Sequence, residues 1–337
     1  MDVKYILMFA ALILSFIAVL VTGPIMIPWL RKLKIGQNIR EDGPAWHKSK
    51  QGVPTMGGLM FVFSITLITV ALCWESMYEG DMSVLSMVLM PLFYAGIGYM
   101  DDYTKVIKKR NLGLTGRQKI LLQTIVASGF LFSMFFSGNR ETYMKIPFTP
   151  ITIEMGWFYY IAGAFIIVGF VNAVNLTDGL DGLAASVTGI NALAYAAIGG
   201  LAAGGAVSST MSSSAAIYAC AVAGGLAGFL VYNFYPAKVI MGDTGSLFLG
   251  GVITSLAFAL KIPLILPILG FVHLAEAGSV MLQVGYFKAT NGKRLFKMSP
   301  IHHHFEMCGW KEKKIVFAFS AIALVCAAVS VAAVWFN

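Results

Sequence analysis

Apolar residues run along this chain in long unbroken blocks, separated by short segments that carry charge, glycine or proline. Ten blocks reach or approach the roughly 20 residues that a helix needs to cross a hydrocarbon layer. They span 5–30, 54–74, 84–100, 118–137, 156–174, 179–200, 215–235, 244–261, 263–286 and 315–336. The pattern predicts an all-α polytopic membrane protein of about ten transmembrane helices. The ninth block is the least regular: Pro263, Pro267, Gly270 and Gly278 interrupt it, and His273 and Glu276 lie within it. A bent or broken helix is expected there, with His273 and Glu276 hydrogen-bonded to each other in support of the bend.

Composition agrees. Of 337 residues 58% are hydrophobic and only 12% charged, about half the charge of a soluble domain, and mean hydropathy is +0.77. A soluble globular enzyme and a disordered chain are both excluded. Cys73, Cys220, Cys308 and Cys326 fall in separate segments with no CxxC pair, so neither a disulfide framework nor a zinc site is expected. The start, MDVKY followed by an apolar run, lacks a basic leader and a small-residue cleavage site, and is read as a retained first span.

The net charge of +8 is unevenly spread. With both termini outside, the loops after the odd-numbered spans are cytoplasmic and hold 20 of the 24 basic residues. The outer side keeps Lys4, Arg140, Lys145 and Lys261 against six acids. Trp29, Trp74, Trp157 and Trp335 fall near span ends, as an aromatic belt requires. The Gly, Ala and Ser-rich stretch 199–214 becomes an outer loop, and Gly224 and Gly228 form a small-xxx-small pair suited to helix packing.

Of the cytoplasmic acids, Glu41, Asp42, Glu306 and Glu312 read as ordinary loop charges. Asp101, Asp102, Asp178, Asp181 and Asp243 sit instead at span ends. A carboxylate costs roughly 2.5 to 3.5 kcal/mol at a bilayer centre and less toward its edge, so five on one face suggest a single site. Asp101 and Asp102 close the third span in GIGYMDDYTKV, and their mutual repulsion invites a cation such as magnesium. In VNAVNLTDGLDGLA, Asn175, Asp178 and Asp181 recur every third residue and would share one helix face, with Gly179 and Gly182 leaving room for a ligand. Asp243, between Gly242 and Gly245 before an apolar helix, suits either an N-cap or a metal ligand near bound phosphate. The run SPIHHHFE is either a solvated loop or a set of imidazoles for phosphate or sugar. Lys48 and Lys50, before the PTMGG entry to the second span, are either retained topogenic charge or an anion contact.

Acids for a divalent metal, Lys and His for phosphates, and a membrane location point to phosphoryl-group chemistry on a lipid substrate. The runs DDYTK, NLTDGLDG, MGDTGS, PTMGG and above all PIHHHFE resemble the polyprenyl-phosphate N-acetylhexosamine-1-phosphate transferase superfamily. Within it they resemble the phospho-N-acetylmuramoyl-pentapeptide transferases, over essentially the whole chain. The resemblance implies a single transferase domain over 1–337 in the bacterial cytoplasmic membrane, with its active site on the cytoplasmic face. It implies transfer of phospho-MurNAc-pentapeptide from UDP-MurNAc-pentapeptide to undecaprenyl phosphate, giving lipid I and UMP with Mg2+, in peptidoglycan synthesis.

By motif, the resemblance makes Asp243 the magnesium aspartate and Asp101 and Asp102 the essential pair, one of them the base toward the lipid phosphate. Asn175, Asp178 and Asp181 approach the nucleotide with Lys105. Lys50, Thr55, Lys119, Asn172, Asn233, His302, His303 and His304 line the same cleft, and the polyprenyl chain lies along the bent ninth span. Partners are then the two substrates and membrane lipid, with a homodimer compatible and nucleic acid not expected.

The nearest alternative is the sister GlcNAc-1-phosphate transferase, distinguished by its donor. A prenyltransferase is partly imitated by NLTDGLD; a CDP-alcohol transferase would want Ala-Arg where Leu183-Ala184 follow Asp181-Gly182; an intramembrane aspartyl protease would need Gly where Ile240 stands. A cation-coupled transporter would carry its ionisable residues near mid-membrane, whereas here they crowd one interface.

Overall fold

A computed structural model of the chain describes residues 3–32, 52–78, 82–107, 113–201 and 209–336. The helices that occupy the apolar blocks are α1 (Val3–Lys32), α2 (Gly58–Leu72), α4 (Met82–Ile107), α5 (Gly116–Phe136), α6 (Phe158–Thr177), α7 (Leu183–Leu201), α8 (Ser209–Asn233), α9 (Gly242–Ala259) and α13 (Glu312–Trp335). Short α3 (Trp74–Tyr78) and α12 (Ile301–Met307) lie between them. The ninth block is broken, as expected. Pro263–Leu269, a 3-10 turn running into α10 (Leu266–Leu269), meets α11 (Phe271–Ala289) at 79°. Among the described residues, seven helices are long and apolar enough to cross a membrane, and the bent pair gives an eighth. The other two blocks form α2, of 15 residues, and α9, of 18.

Helix α9 is the centre of the assembly, with every residue from Thr244 to Ala259 buried. Protein rather than lipid surrounds it, so it tolerates the glycines and hydroxyls that thin its apolar character. Those small residues set how close its neighbours come. A Cβ added at Gly250 would lie 2.6 Å from Val171 Cα of α6, at Gly251 2.9 Å from Pro91 Cα of α4, and at Gly245 2.9 Å from Gly58 Cα of α2. Between helices in lipid, where burial of apolar surface gives little, such close packing drives association. The Gly224 and Gly228 pair serves α8 in the same way: a Cβ at Gly228 would stand 2.8 Å from the Phe16 carbonyl of α1.

Several sequence expectations shift. Helix α4 runs seven residues past its apolar block, so Asp101 and Asp102 lie inside it rather than at its end. Helix α8 begins within the Ser-rich stretch, because Ser212 and Ser214 are buried against neighbours rather than solvated. The connection after α5 holds the only strands among the described residues, β1 (Tyr143–Lys145) and β2 (Thr152–Glu154), paired antiparallel with Tyr143 opposite Glu154. The alternation in ITIE lets its backbone groups pair across a turn. His273 and Glu276 do not bond each other. The bend turns α11 into α6 and α7, where His273 Nδ1 is 2.9 Å from Thr177 Oγ1 and Nε2 is 3.5 Å from Thr188 Oγ1, while Glu276 engages His302.

Trp29, Trp74, Trp157 and Trp335 are all exposed near helix ends. At one end of the bundle Lys261 pairs with Glu141, Asn139 donates to Ser83, and Lys4 donates to the Gly200 carbonyl. The aspartates gather at the opposite end.

Candidate active site

Helix α4 brings three of the candidate residues: adjacent Asp101 and Asp102 and, one turn on, Lys105, which reaches both. Helix α9 starts beside them, and that start is unusual. Met241 occupies its N-cap position without a side-chain cap, leaving first-turn N–H groups in need of an acceptor. Asp102 supplies it from α4. Its Oδ1 accepts from the Asp243 N–H at 3.2 Å, and its Oδ2 accepts from the Thr244 N–H at 2.9 Å and the Thr244 hydroxyl at 2.8 Å. Asp243 itself is therefore not the cap. It sits in the first turn with its carboxylate free to face other groups.

The helices can close this tightly because of glycine and backbone pairing. A Cβ at Gly98 of α4 would run into the Asp243 backbone. The PTMGG entry pairs with the strand-like 240–241 segment: Ile240 N–H to Pro54 carbonyl at 2.9 Å, Gly57 N–H to Ile240 carbonyl at 2.8 Å, Gly58 N–H to Met241 carbonyl at 3.0 Å. Thr55 is thereby placed against Gly242, whose positive φ of 71° suits glycine and whose added Cβ would lie 2.9 Å from Thr55 Oγ1.

Asp243 is the meeting point. Its Oδ2 lies 2.7 Å from Lys119 Nζ and 3.1 Å from Lys105 Nζ, and its Oδ1 accepts from Asn175 Nδ2 at 3.1 Å. Both lysines also reach Asp101, Lys105 at 2.6 Å and Lys119 at 3.1 Å. Asp101 additionally accepts the Leu114 N–H at 2.8 Å. Asp101 is fully buried and Asp102 3% exposed, whereas the Asp243 side chain keeps 17% and the Lys105 side chain 34%. The accessible side of the cluster is therefore Asp243 with its lysines. Thr115 starts α5 with a capping box through Gln118, which fixes the first turn from which Lys119 projects.

The remaining candidates surround the turn that follows α6. The expected shared face of Asn175, Asp178 and Asp181 does not form: α6 ends at Thr177, Asp178 is its C-cap, and Gly182 turns with φ 80°. The helix stops before Asp178, so Asn175 faces Asp243 while Asp181 turns to another element. Asp181 accepts the Ala237 N–H at 2.9 Å, and its own N–H donates to Glu312 Oε1 at 2.6 Å. Asn233 accepts the Gly182 N–H at 3.0 Å and donates to the Val239 carbonyl at 2.9 Å. Asn172, one turn below Asn175, exchanges with Gln123 at 2.7 Å.

The triple-histidine run is helix α12 rather than an open loop. His302 is buried against Glu276 at 2.9 Å, His303 bonds Glu306 at 2.6 Å, and His304 Nδ1 accepts the Lys297 N–H at 3.2 Å. Glu306 and Glu312, read from sequence as loop charges, are thus built into the structure. Glu41, Asp42, Lys48 and Lys50 lie outside the described residues.

The structure accordingly gathers Asp101, Asp102, Lys105, Lys119, Asn175 and Asp243, with Thr55 adjoining. It sets Asp178, Asp181, Asn233 and His302 around the turn 178–182, which joins the first group through α6. Sequence reasoning missed Thr244, Gln123 and Glu312; the first lies in the MGDTGS run, but its partner is 142 residues away. Chemically, one oxygen from each of Asp101, Asp102 and Asp243 lies within 4.8 Å of the others, a set of hard oxygen donors that fits a divalent cation such as magnesium. Three carboxylates against two ammonium groups leave one negative charge, which a divalent ion would convert to a positive field for a diphosphate.

Residues 84–261 match the family model for glycosyl transferase family 4. Over the whole length, the chain is 45% identical over 325 residues to the phospho-N-acetylmuramoyl-pentapeptide-transferase of Listeria monocytogenes serovar 1/2a, covering 96% of each chain. It is 44% identical over 320 residues, 95% of each chain, to the proteins of the same name in Bacillus pumilus and Bacillus subtilis strain 168.

Proposed function

This chain belongs to glycosyl transferase family 4, among its phospho-N-acetylmuramoyl-pentapeptide transferases, and on that footing we propose the reaction that its residues carry. It is a multi-pass membrane enzyme that transfers phospho-MurNAc-pentapeptide from UDP-MurNAc-pentapeptide to undecaprenyl phosphate, forming lipid I and UMP. The whole chain acts as one transferase domain of ten spans with both termini outside. The aspartate end then faces the cytoplasm, as the 20 basic residues of that side require.

The observation that carries the reading is the convergence of Lys105, Lys119 and Asn175 on Asp243 beside Asp101 at one end of the bundle. In phosphoryl transfer a protein mostly positions reactants and neutralises charge. Asp243, the most accessible of the three acids, is the residue to hold Mg2+, with Asp101 beside it. The ion, when bound, supplies charge neutralisation on the diphosphate. Lys105 and Lys119, already poised on the carboxylates, bind phosphate oxygens and stabilise the charge that develops on them.

Asp102 is committed to α9 by three hydrogen bonds. We therefore assign the proton acceptor to Asp101, whose Oδ2 pairs with Lys105 at 2.6 Å. As Lys105 turns to the donor phosphates, Asp101 takes the proton of the lipid phosphate. The freed oxygen bonds to the β-phosphorus, the bond from that phosphorus to the bridging oxygen breaks, and UMP leaves with that oxygen. Asn175 holds Asp243 in place. Thr55, Asp178, His303 and His304, with Lys50, contact the donor. Asp181, Asn233, Asn172 and His302 shape the cleft through the bonds described above. Exposed Met281, Leu282 and Phe287 of α11 give the polyprenyl chain an apolar surface beside the bend.

UMP release by the purified protein from UDP-MurNAc-pentapeptide and undecaprenyl phosphate tests this. We expect release that stops in EDTA and returns with Mg2+, and none from UDP-GlcNAc. Release from UDP-GlcNAc alone would favour the sister transferase and overturn the assignment.

A further inference from the structure

Glu276 takes no part in the reaction proposed above, yet it is a fully buried carboxylate in a membrane span, an expensive group that requires a partner. Its partner comes from the far side of the connection between α11 and α12. Glu276 Oε2 accepts the His302 Nδ1–H at 2.9 Å and the His302 backbone N–H at 3.4 Å. Helix α12 has Pro300 at its N-cap position and no side-chain cap of its own, so Glu276 serves its first turn from α11. His302 is 1% exposed. Its Nε2 has no hydrogen-bond partner and lies against Gly179, where an added Cβ would collide with the ring.

These contacts select one form of the ring. Oε2 already faces the His302 backbone N–H as an acceptor, and an Nδ1–H places a second donor on the same oxygen. Nε2, which lies against Gly179 with no partner to take a proton, is then the unprotonated nitrogen. His303 and His304 follow His302 on the same seven-residue helix. Their direction is set by how His302 seats against the 178–182 turn.

We propose that Glu276 is a positioning residue of the transfer reaction, fixing the His302 tautomer and the seating of α12 on the 178–182 turn, and through them the presentation of His303 and His304 to the nucleotide-sugar donor. The kinetic part rests on the transferase reading; the tautomer does not.

The test uses the full chain in detergent, labelled with 15N-histidine, with the His302 signals identified by their loss in His302→Gln. Wild type should show the Nδ1–H pattern. Glu276→Gln, whose side-chain carbonyl accepts the same bonds, should keep it and hold the donor KM within threefold. Glu276→Leu should lose it and raise the donor KM at least tenfold, with the KM for undecaprenyl phosphate changed less than twofold. A wild-type Nε2–H pattern, an unchanged donor KM in Glu276→Leu, or equal damage from Gln and Leu would overturn the proposal.

Should Glu276→Leu not fold, His302→Asn and His302→Gln decide. Asn keeps a donor at the Nδ1 position and should hold the donor KM within fivefold; Gln should not, and equal losses would sink the idea. If the wild type turns over no UDP-MurNAc-pentapeptide, the transferase reading fails, while the 15N pattern still reports on the Glu276 contact.

Discussion

Asp102→Ala separates a structural carboxylate from a catalytic one. The side chain accepts two backbone N–H groups and one hydroxyl at the start of α9, and Thr244 is fully buried. Truncation leaves three donors without that acceptor, the two of Thr244 buried. Each buried unsatisfied group costs about 1–3 kcal/mol, and relief of the buried charge offsets part of the sum, leaving about 3 kcal/mol. At about 2.1 cal/mol/K per residue, a chain of 337 residues has an unfolding entropy near 0.7 kcal/mol/K, so the melting temperature should fall by about 4 °C. Thr244→Val removes only the hydroxyl bond and leaves both N–H groups capped. The same reasoning gives it about 1.5 kcal/mol, or about 2 °C, with turnover kept within fivefold. Melting followed by tryptophan fluorescence in one detergent, alongside UMP release, makes the comparison. Turnover should vanish in Asp102→Ala together with the loss of stability. An Asp102→Ala protein that is inactive yet melts with wild type would refute the capping role and return Asp102 to the list of candidate bases.

Two further outcomes test the packing and the charge. Gly96→Ala and Gly98→Ala lie two residues apart on α4 and should diverge: nothing lies within 4 Å of a Cβ at Gly96, so that change should be neutral or stabilise by up to about 1 kcal/mol. Gly98→Ala should cost about 1–3 kcal/mol and most of the turnover, because its methyl group displaces the Asp243 backbone; equal melting temperatures would contradict the close approach. Lys119→Met should lower lipid product formation at least 100-fold and lower the melting temperature as well, since Lys119 serves the fully buried Asp101 besides Asp243 and removing one partner of a buried pair costs about 3–5 kcal/mol. Wild-type turnover in that variant would remove Lys119 from the site.

The helical membrane architecture was legible because length and apolar continuity are local properties, and the break in the ninth block was announced by Pro263, Pro267 and Gly270. The acids were legible as a group because charge is scarce. Their division of labour was not. Asp101 and Asp102 look alike in sequence, and only the distance from Asp102 to the start of α9 makes one of them a cap. A period of three suggested a helix face for Asn175, Asp178 and Asp181, but α6 stops at Thr177 with Asp178 as its C-cap, short of Asp181. His273 and Glu276 were paired by proximity along α11, whereas the bend gave each a nearer partner on another element. For Asp102, His273 and Glu276 the deciding contact joins separate elements, which no local pattern encodes.

Helices α9 and α12 each begin on a carboxylate donated by an earlier helix, Asp102 for the one and Glu276 for the other. During synthesis, when chains fold from the amino-terminal end forward, both acceptors are already in the membrane before the helix that needs them emerges. Each new first turn therefore finds its hydrogen-bond acceptor waiting. The direction of translation thus matches the order in which the site is built, and the aspartate carried by α9 arrives on a foundation laid by α4.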